Sequence, residues 1–230
     1  MNPEAKILFG WVLFGGTHIA GSTVAVRTML ISRLTLGGFK ALYSVVALVT
    51  FVPLCWVYAE NKHAGSLLFT PATGLGYATQ ALMLLAFVVM FQGLFTVSPL
   101  TTQAEMSGRF GAGARGIQRV TRHPQVLAMV LFAVAHLMVN PFAADWVFFG
   151  GFIVYGMLAV VHQDSRTRAA GSDSARGLLS ETSAVPFAAI VSGRQRLAPS
   201  EYSLIGFIVS ILLFFAVRYF HGFLFGASVG

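Results

Sequence analysis

The chain has 230 residues, of which 56% are hydrophobic and only 10% are charged. A soluble domain carries about 25% charged residues, so this composition excludes an ordinary soluble protein and indicates a surface that mostly contacts lipid. The formal net charge of +7 would suggest nucleic acid in a soluble protein, but basic loops are usual on the cytoplasmic side of membrane proteins. We therefore expect membrane lipids, and no nucleic acid, as partners.

Six apolar runs alternate with loops that are marked by glycine and proline. Each run has about the 20 residues that a helix needs to cross the hydrocarbon core. The sequence therefore predicts an all-α fold, a polytopic membrane helix bundle in which residues 1–230 form a single integral membrane domain. The predicted spans are 6–30, 39–60, 76–97, 123–141, 145–163 and 202–224.

The first predicted span carries His18 well inside it, nine residues before Arg27. This spacing puts the histidine about 13 Å from the cytoplasmic end of the span. An ionisable side chain at that depth is costly unless it is ligated or paired. A cleaved signal peptide would remove His18, but the run is long for a signal peptide and its only early positive charge is Lys6.

The loop after the third span contains Arg115, Arg119 and Arg122 at positions i, i+4 and i+7. In a helix this spacing puts three guanidinium groups on one face. Such a face could bind lipid phosphates at the membrane interface. It could also bind an anionic ligand such as the propionates of a heme.

The fourth predicted span begins at His123-Pro124 and carries a second deep histidine, His136, about 20 Å from the cytoplasmic end. Proline suits the first position of a helix, so His123 either caps the span at the headgroups or contacts a propionate or a substrate. Helix tilt could bring His136 and His18 to one depth. Two neutral imidazoles on different helices at matched depth are what an axially ligated heme in a helix bundle requires.

Three explanations of the two deep histidines stay open on spacing alone. They could ligate a heme, form a hydrogen-bonded structural pair, or ligate another metal. Zinc is disfavoured because no third or fourth ligand of the right type shares their depth. Paired-carboxylate chemistry is disfavoured because every Asp and Glu lies at the end of a predicted span or in a loop.

The last long loop becomes apolar at residues 185–190, just before the basic run Gly193-Arg194-Gln195-Arg196. A short apolar segment inside a polar loop is expected to lie on the membrane surface or to re-enter between helices. The basic run would then lie at the headgroups.

The basic residues also predict the orientation of the spans. Twelve of the fifteen Lys and Arg residues lie in or beside the loops at about 31–38, 98–122 and 164–201, which fall on one side if six spans alternate. Positive residues concentrate on the cytoplasmic side. These loops are therefore predicted to be cytoplasmic, with both termini on the non-cytoplasmic side.

Three ordered stretches resemble the NnrU family of bacterial membrane proteins and, through it, the zeta-carotene isomerases. The resemblance extends over nearly the whole chain, and it implies a multi-pass protein of a bacterial inner membrane. The stretches are Gly16-Thr17-His18 with Arg27, Arg115-Gly116-Ile117 through Arg122-His123-Pro124 to Ala135-His136, and Val185-Pro186-Phe187-Ala188-Ala189-Ile190 with Gly193-Arg194.

The resemblance implies a heme b protein that acts as a cis-trans isomerase on a polyene or another lipid-soluble alkene. The axial histidines of the isomerases fall at His18 and His136, which are therefore the implied metal ligands. The isomerase pattern has an alternative cysteine ligand three residues before the second histidine, where this chain has Ala133, so ligand exchange there is not expected. The candidate cofactor-binding residues are His18, His136, Arg27, Arg115, Arg119, Arg122 and His123.

Two other functions stay open. The resemblance to NnrU proteins, which are associated with denitrification and nitric oxide metabolism, also fits a non-enzymatic heme protein or an accessory factor that partners denitrification enzymes. Arg122-His123-Pro124 is similar to a motif of membrane methyltransferases. Those enzymes have a later Glu pair, whereas this chain reads His162-Gln163-Asp164 at the end of the fifth span.

Overall fold

The computed structural model describes residues 1–96 and 113–226. Within these ranges the chain is all-α, as predicted, and the one strand-like pairing is an isolated antiparallel bridge between Leu67 and Phe142. The first part of the predicted loop 98–122 lies outside the described residues. The helices are α1 (Pro3–Ser22), α2 (Val24–Asn61), α3 (Leu75–Phe95), α4 (Pro124–Val139), α5 (Ala143–Ala170), α6 (Asp173–Glu181), α7 (Ala188–Val191) and α8 (Leu204–Phe225), with 3₁₀ helices at Gly116–Arg119 and Pro199–Glu201.

The chain divides into two compact units. Unit 1 comprises Met1–Leu75 and Ala133–His162, and unit 2 comprises Gly76–Phe132 and Gln163–Gly230. Unit 1 therefore contains α1 and α2 with the second part of α4 and most of α5. Unit 2 contains α3, the first part of α4, the end of α5 and all later elements.

Among the helices of residues 1–96 and 113–226, four are long and apolar enough to cross a membrane, namely α2, α3, α5 and α8. The other two predicted spans correspond to α1 and α4. The apolar character of α1 is reduced by Glu4, Lys6 and His18, and α4 has only 16 residues. The six-span topology and its orientation stay predictions.

The first hairpin requires a correction to the predicted span 6–30 and the predicted loop 31–38. Helix α1 already ends at Ser22, and α2 begins at Val24. The residues of the predicted loop are helical apart from Thr35, whose backbone has φ 63° and ψ 169°.

Threonine hydroxyls, and not the pair Gly37-Gly38, mark the breaks in this region. Thr23 Oγ1 donates to the carbonyl of Ala20 (2.8 Å), and Thr35 Oγ1 accepts a hydrogen bond from the Gly38 amide (3.4 Å). Such local side-chain bonds compete with the helical backbone pattern. Glycine is tolerated within a helix at a cost of about 1 kcal/mol, so Gly37 and Gly38 do not by themselves end α2.

Close approach of small residues holds α1 antiparallel to α2 in unit 1. A Cβ on Gly10 would lie 2.8 Å from Cδ1 of Leu54, a residue that is almost fully buried. Farther along the pair, the hydroxyl of Tyr43 donates to the carbonyl of His18 (2.9 Å). These contacts hold the end of α1 against α2.

A buried amide and an apolar cluster help to hold unit 2 together. The fully buried Gln92 accepts from the amide of Ser203 and donates to its carbonyl, both at 2.9 Å, which joins the end of α3 to the start of α8. The apolar cluster consists of Val89, Ile117, Val120 and Ala128, with Met90, Leu127, Leu131, Ile190 and Tyr202 packed against it.

Helix α5 continues to Ala170, beyond the predicted end of the fifth span at residue 163, and the predicted loop 164–201 contains α6 and α7.

Candidate functional site

His18 lies among aromatic rings of unit 1. Phe14, one turn earlier on α1, stacks on the imidazole at 5.3 Å between ring centroids. Tyr43 of α2 approaches it to 4.3 Å, and Tyr155 of α5 contacts it edge-on at 5.9 Å. Three helices therefore meet at this histidine.

His136 on α4 belongs to the same group of rings. Its imidazole stacks on Phe149 of α5 at 4.5 Å with an interplanar angle of 23°. Ring contacts continue from Phe149 through Phe148 and Trp11 to Tyr155 at 5.2 to 6.3 Å. We call this set of rings the aromatic cluster. It consists of Trp11, Phe14, His18, Tyr43, Phe51, Tyr58, His136, Phe148, Phe149, Phe152 and Tyr155.

Trp11 joins α1 to α5 at the centre of the aromatic cluster. Its indole Nε1 donates to the carbonyl of Phe148 (3.1 Å). The indole ring lies directly on Gly151, where a Cβ would come within 2.1 Å of the ring. Any side chain at Gly151 would therefore displace Trp11.

The imidazole of His18 has an unused nitrogen. Its Nδ1 is buried and has no hydrogen-bond partner among the residues that the structure describes. A buried polar atom of this kind usually has a partner. The lone pair of an imidazole nitrogen lies in the ring plane, so the stacking of Phe14 on the ring face leaves it available to a metal.

The two histidines lie at different levels of unit 1. His18 lies four residues before the end of α1, because that helix ends at Ser22. Its α5 neighbour Tyr155 and the neighbour of His136, Phe149, are six residues apart, about 9 Å along the helix axis. The histidines share one cluster, but they contact α5 at different levels.

Arg27 is the predicted cofactor-binding arginine that falls in unit 1. Its guanidinium lies 5.4 Å over the ring of Phe39. Phe39 contacts Tyr43 at 5.6 Å, and Tyr43 in turn contacts His18. The structure therefore brings Arg27 to the edge of the aromatic cluster.

Other metal chemistry has little support in the described part of the chain. Over residues 1–96 and 113–226, no group of three or more His, Cys, Asp or Glu side chains could hold a metal ion. Ala133 is fully buried one turn before His136 on α4.

The predicted face of three arginines does not form. Arg115 precedes a four-residue 3₁₀ helix, Gly116–Arg119, and Arg122 follows it, so these residues are not on one continuous α-helix. Arg119 makes a bidentate ion pair with Glu201. Its Nε donates to Oε2 of Glu201 (2.8 Å), and its Nη2 donates to Oε1 (2.7 Å). That Arg115, Arg119, Arg122 and His123 bind a cofactor stays a prediction, and all four lie in unit 2.

The pair of Arg119 and Glu201 is electrostatically strong. Hydrogen bonds from Arg119 and from the backbone amide of Gly116 (2.8 Å) lower the pKa of Glu201 to about 2. The same carboxylate raises the pKa of Arg119. Both side chains stay charged across the physiological range.

His123 forms a buried pair that the sequence did not reveal. Its Nε2 lies 2.8 Å from Oδ1 of Asp164, and both side chains are buried. Arg122 Nε lies 3.7 Å from the same oxygen. A weak signal was present, because His123 lies just before α4 and Asp164 lies in the last part of α5, and these two helices are joined by the short turn at Asn140-Pro141.

Asp145 forms a second buried cluster that the sequence did not reveal. Its carboxylate is completely buried in unit 1 and accepts hydrogen bonds from the Tyr58 hydroxyl (3.0 Å) and the His63 amide (3.1 Å). The Nδ1 of His63 lies 3.0 Å from its other oxygen. His63, in the loop between α2 and α3, is therefore a partner of the buried Asp145.

The chain is similar in sequence to two plant proteins. The chain is 23% identical over 205 residues to the 15-cis-zeta-carotene isomerase, chloroplastic, of Arabidopsis thaliana, covering 87% of this chain and 54% of that protein. It is 24% identical over 166 residues to the protein of the same name from Zea mays, covering 71% and 44%. The chain thus spans about half the length of the curated relatives it matches.

The sequence model of one protein family matches more of the chain than either plant protein does. No solved structure matches the chain significantly. The model described as "NnrU protein" matches residues 6–229, which is nearly the whole chain. The chain therefore belongs to the NnrU family.

Proposed function

We propose that the chain is a heme b protein of a bacterial inner membrane that isomerises a cis double bond in a polyene or another lipid-soluble alkene. In this proposal His18 and His136 ligate the iron. The observation that carries it is the aromatic cluster, which contains both histidines and leaves Nδ1 of His18 buried without a described partner. The names of the two relatives, both 15-cis-zeta-carotene isomerases, support the reaction class.

The donor chemistry of the cluster fits a heme. Neutral imidazole nitrogen is a standard axial ligand of heme iron. Phe14 and Phe149 stack on the faces of the two imidazoles and leave the ring edges, where ligation occurs. Because the rings of the cluster contact one another, a porphyrin between His18 and His136 requires aromatic side chains to move apart.

Bound heme would supply an iron centre able to exchange an electron with a polyene or to coordinate its π system. The side chains of the chain do the rest. The aromatic cluster excludes water and offers flat apolar surfaces to a conjugated chain. Arg27, at the edge of the cluster, is suited to an anionic group such as a propionate.

The first test is the visible spectrum of the purified protein in both redox states. We expect a Soret band in the wild type and its loss in His18→Ala and in His136→Ala, because each residue supplies one of two ligands. His221→Ala removes a histidine of unit 2 and is the matched control, which should keep the band. Full heme content in both ligand variants would contradict the assignment.

The second test is activity. The wild type, reconstituted in vesicles with a cis-polyene, should shift the absorption of the polyene toward that of the trans isomer, and the ligand variants should not. A heme-loaded protein with no such activity would leave the heme site standing and would refute the isomerase.

A second candidate function rests on Ala133. Where the isomerase pattern has a cysteine, this buried position has no metal-ligating atom. A non-enzymatic heme protein or an accessory factor of denitrification enzymes needs no exchange of ligands there. This candidate predicts bound heme without isomerisation, which the second test separates from the first candidate.

A further inference from the structure

Unit 2 contains a cleft lined mostly by polar and charged residues. Its volume is about 400 Å³. Three of its lining residues are arginines and one is a carboxylate, Glu181. The lining residues are Arg119, Glu181, Gly193, Arg194, Gln195 and Arg196.

The charges of the cleft do not cancel. Arg119 is compensated by its bidentate ion pair with Glu201, and its Nη1 donates to the side chain of Gln195 (2.6 Å). This leaves Arg194 and Arg196 against the single carboxylate of Glu181. The excess is positive, so the cleft favours an anion.

Arg194 is held in position by hydrogen bonds within the chain, before any ligand binds. Arg194 Nη1 donates to the carbonyls of Ser180 (3.0 Å) and Thr182 (3.2 Å), and its Nε donates to the hydroxyl of Ser192 (2.9 Å). Gln195, which separates the two arginines, is fixed by Arg119. Arg194 and Gln195 would therefore lose little side-chain entropy on binding.

The cleft lies where apolar helices of unit 2 begin. Arg119 precedes the start of α4 by five residues, and Glu201 precedes the start of α8 by three. Gln92 joins the end of α3 to the same place through Ser203. Side chains at the ends of membrane-crossing helices lie at the depth of lipid headgroups.

The segment 185–197, which supplies four of the six residues that line the cleft, also exposes large apolar side chains. Its backbone is fixed, since the amide of Phe187 donates to the carbonyl of Val120 (2.9 Å) and Phe187 itself has a left-handed backbone (φ 63°). Ala189, two residues after Phe187, is fully buried and anchors the segment. The outward side chains, with their exposed fractions, are Val185 (64%), Phe187 (52%), Val191 (86%) and Leu197 (53%).

We propose that segment 185–197 docks on the surface of the lipid bilayer and that the adjacent cleft binds the phosphate of an anionic lipid headgroup through Arg194 and Arg196. Apolar side chains beside basic ones are the combination that binds an anionic lipid surface. Arg119 is a positioning residue, because it acts through Gln195. Neither the docking of the segment nor the binding of the headgroup requires a bound heme.

The test compares two double variants that remove the same charge. Arg194→Gln with Arg196→Gln alters the cleft, and Arg33→Gln with Arg176→Gln removes two exposed arginines that do not line it. Retention of phosphatidylglycerol and of phosphatidylcholine by the purified full chain is measured by native mass spectrometry. We expect the cleft variant to bind phosphatidylglycerol about tenfold more weakly and the control to bind it as the wild type does.

Added inorganic phosphate distinguishes the source of the anion. Displacement of phosphatidylglycerol by millimolar phosphate would mean a site for soluble phosphate and would overturn the lipid proposal. Equal retention by the two double variants would overturn it as well.

A separate measurement tests the docking of the segment. Val191→Trp is compared with the wild type in vesicles that contain brominated lipid, so that the added emission reports residue 191. We expect the added emission to be strongly quenched. Emission at the position of water-exposed tryptophan, without quenching, would overturn the docking even if the cleft binds lipid.

Discussion

Asp145 shows how a single residue can matter more than its position suggests. It lies near the start of α5, at the end of a predicted span, where a carboxylate is usually solvated. Instead it is completely buried, and its oxygens receive hydrogen bonds from Tyr58 and from the backbone of His63. A buried charge is tolerated only with such partners.

Removal of this carboxylate should destabilise unit 1. We expect Asp145→Ala to lower the free energy of unfolding by about 2–4 kcal/mol, because the partly buried Tyr58 hydroxyl and His63 amide lose their acceptor. Asp173→Ala is the control, since that carboxylate is 97% exposed and its loss should cost less than 1 kcal/mol. Chemical unfolding in detergent, followed by circular dichroism, measures both. Similar midpoints for the two variants would count against the cluster.

Glu201 gives a prediction for pH. Its pKa is lowered from 4.5 to about 2 by Arg119 and the Gly116 amide. A lowered pKa means that the carboxylate stabilises the folded chain above about pH 4.5 and that this contribution is lost as the pH falls toward 2. Relative to wild type, Glu201→Gln should be less stable at pH 6, by about 1 kcal/mol because the pair is partly exposed, and equally stable near pH 2. A difference that is constant from pH 6 to pH 2 would show that the charge of Glu201 contributes nothing.

The elements show which parts of the fold could be predicted. Long apolar runs predict helices because only a helix satisfies its backbone in lipid, and each predicted span contains a helix. The first hairpin could not be predicted, because Thr23 and Thr35 break the helix through local hydroxyl bonds that any threonine can make. The pair of His123 and Asp164 was missed for another reason, since hydropathy reports the ends of helices and not which ends meet.

The packing of α1 on α5 depends on Gly151. Gly151→Ala should force Trp11 away from α5, since the new Cβ would lie 2.1 Å from the indole. We expect a loss of about 1–3 kcal/mol in stability and a changed tryptophan emission, and loss of bound heme if the aromatic cluster is the heme site. Gly150→Ala is the matched control, because nothing lies within 4 Å of its Cβ. Unchanged emission in Gly151→Ala would mean that α1 and α5 do not pack this way.

At the scale of the whole molecule, composition and ordered motifs were enough to predict an all-α membrane protein of the NnrU family. They could not determine whether α4 crosses the membrane. Its 16 residues extend about 24 Å, which is shorter than a hydrocarbon core of about 30 Å. Local thinning of the bilayer can accommodate such a helix.

Contacts within unit 1 favour the crossing. The loop between α2 and α3 hydrogen-bonds to the turn after α4, with Leu68 donating to Pro141 (2.8 Å) and Ala143 donating to Ser66 (3.0 Å). These two connections must therefore lie on one side of the membrane. If α3 crosses and α4 does not, the turn after α4 would lie on the side opposite to the loop that it contacts.

Labelling of single cysteines decides the question. In a Cys55→Ala background, Ser66→Cys reports the loop after α2 and Ser180→Cys reports α6, and both serines are exposed. If α4 crosses, the two positions lie on opposite sides, so an impermeant thiol reagent added to intact cells should label Ser66→Cys and spare Ser180→Cys until the membrane is opened. If only α2, α3, α5 and α8 cross, both positions lie on one side and are labelled or spared together. Labelling of Ser180→Cys alone would keep six crossings and invert the predicted orientation, against the concentration of arginines in the loops on that side.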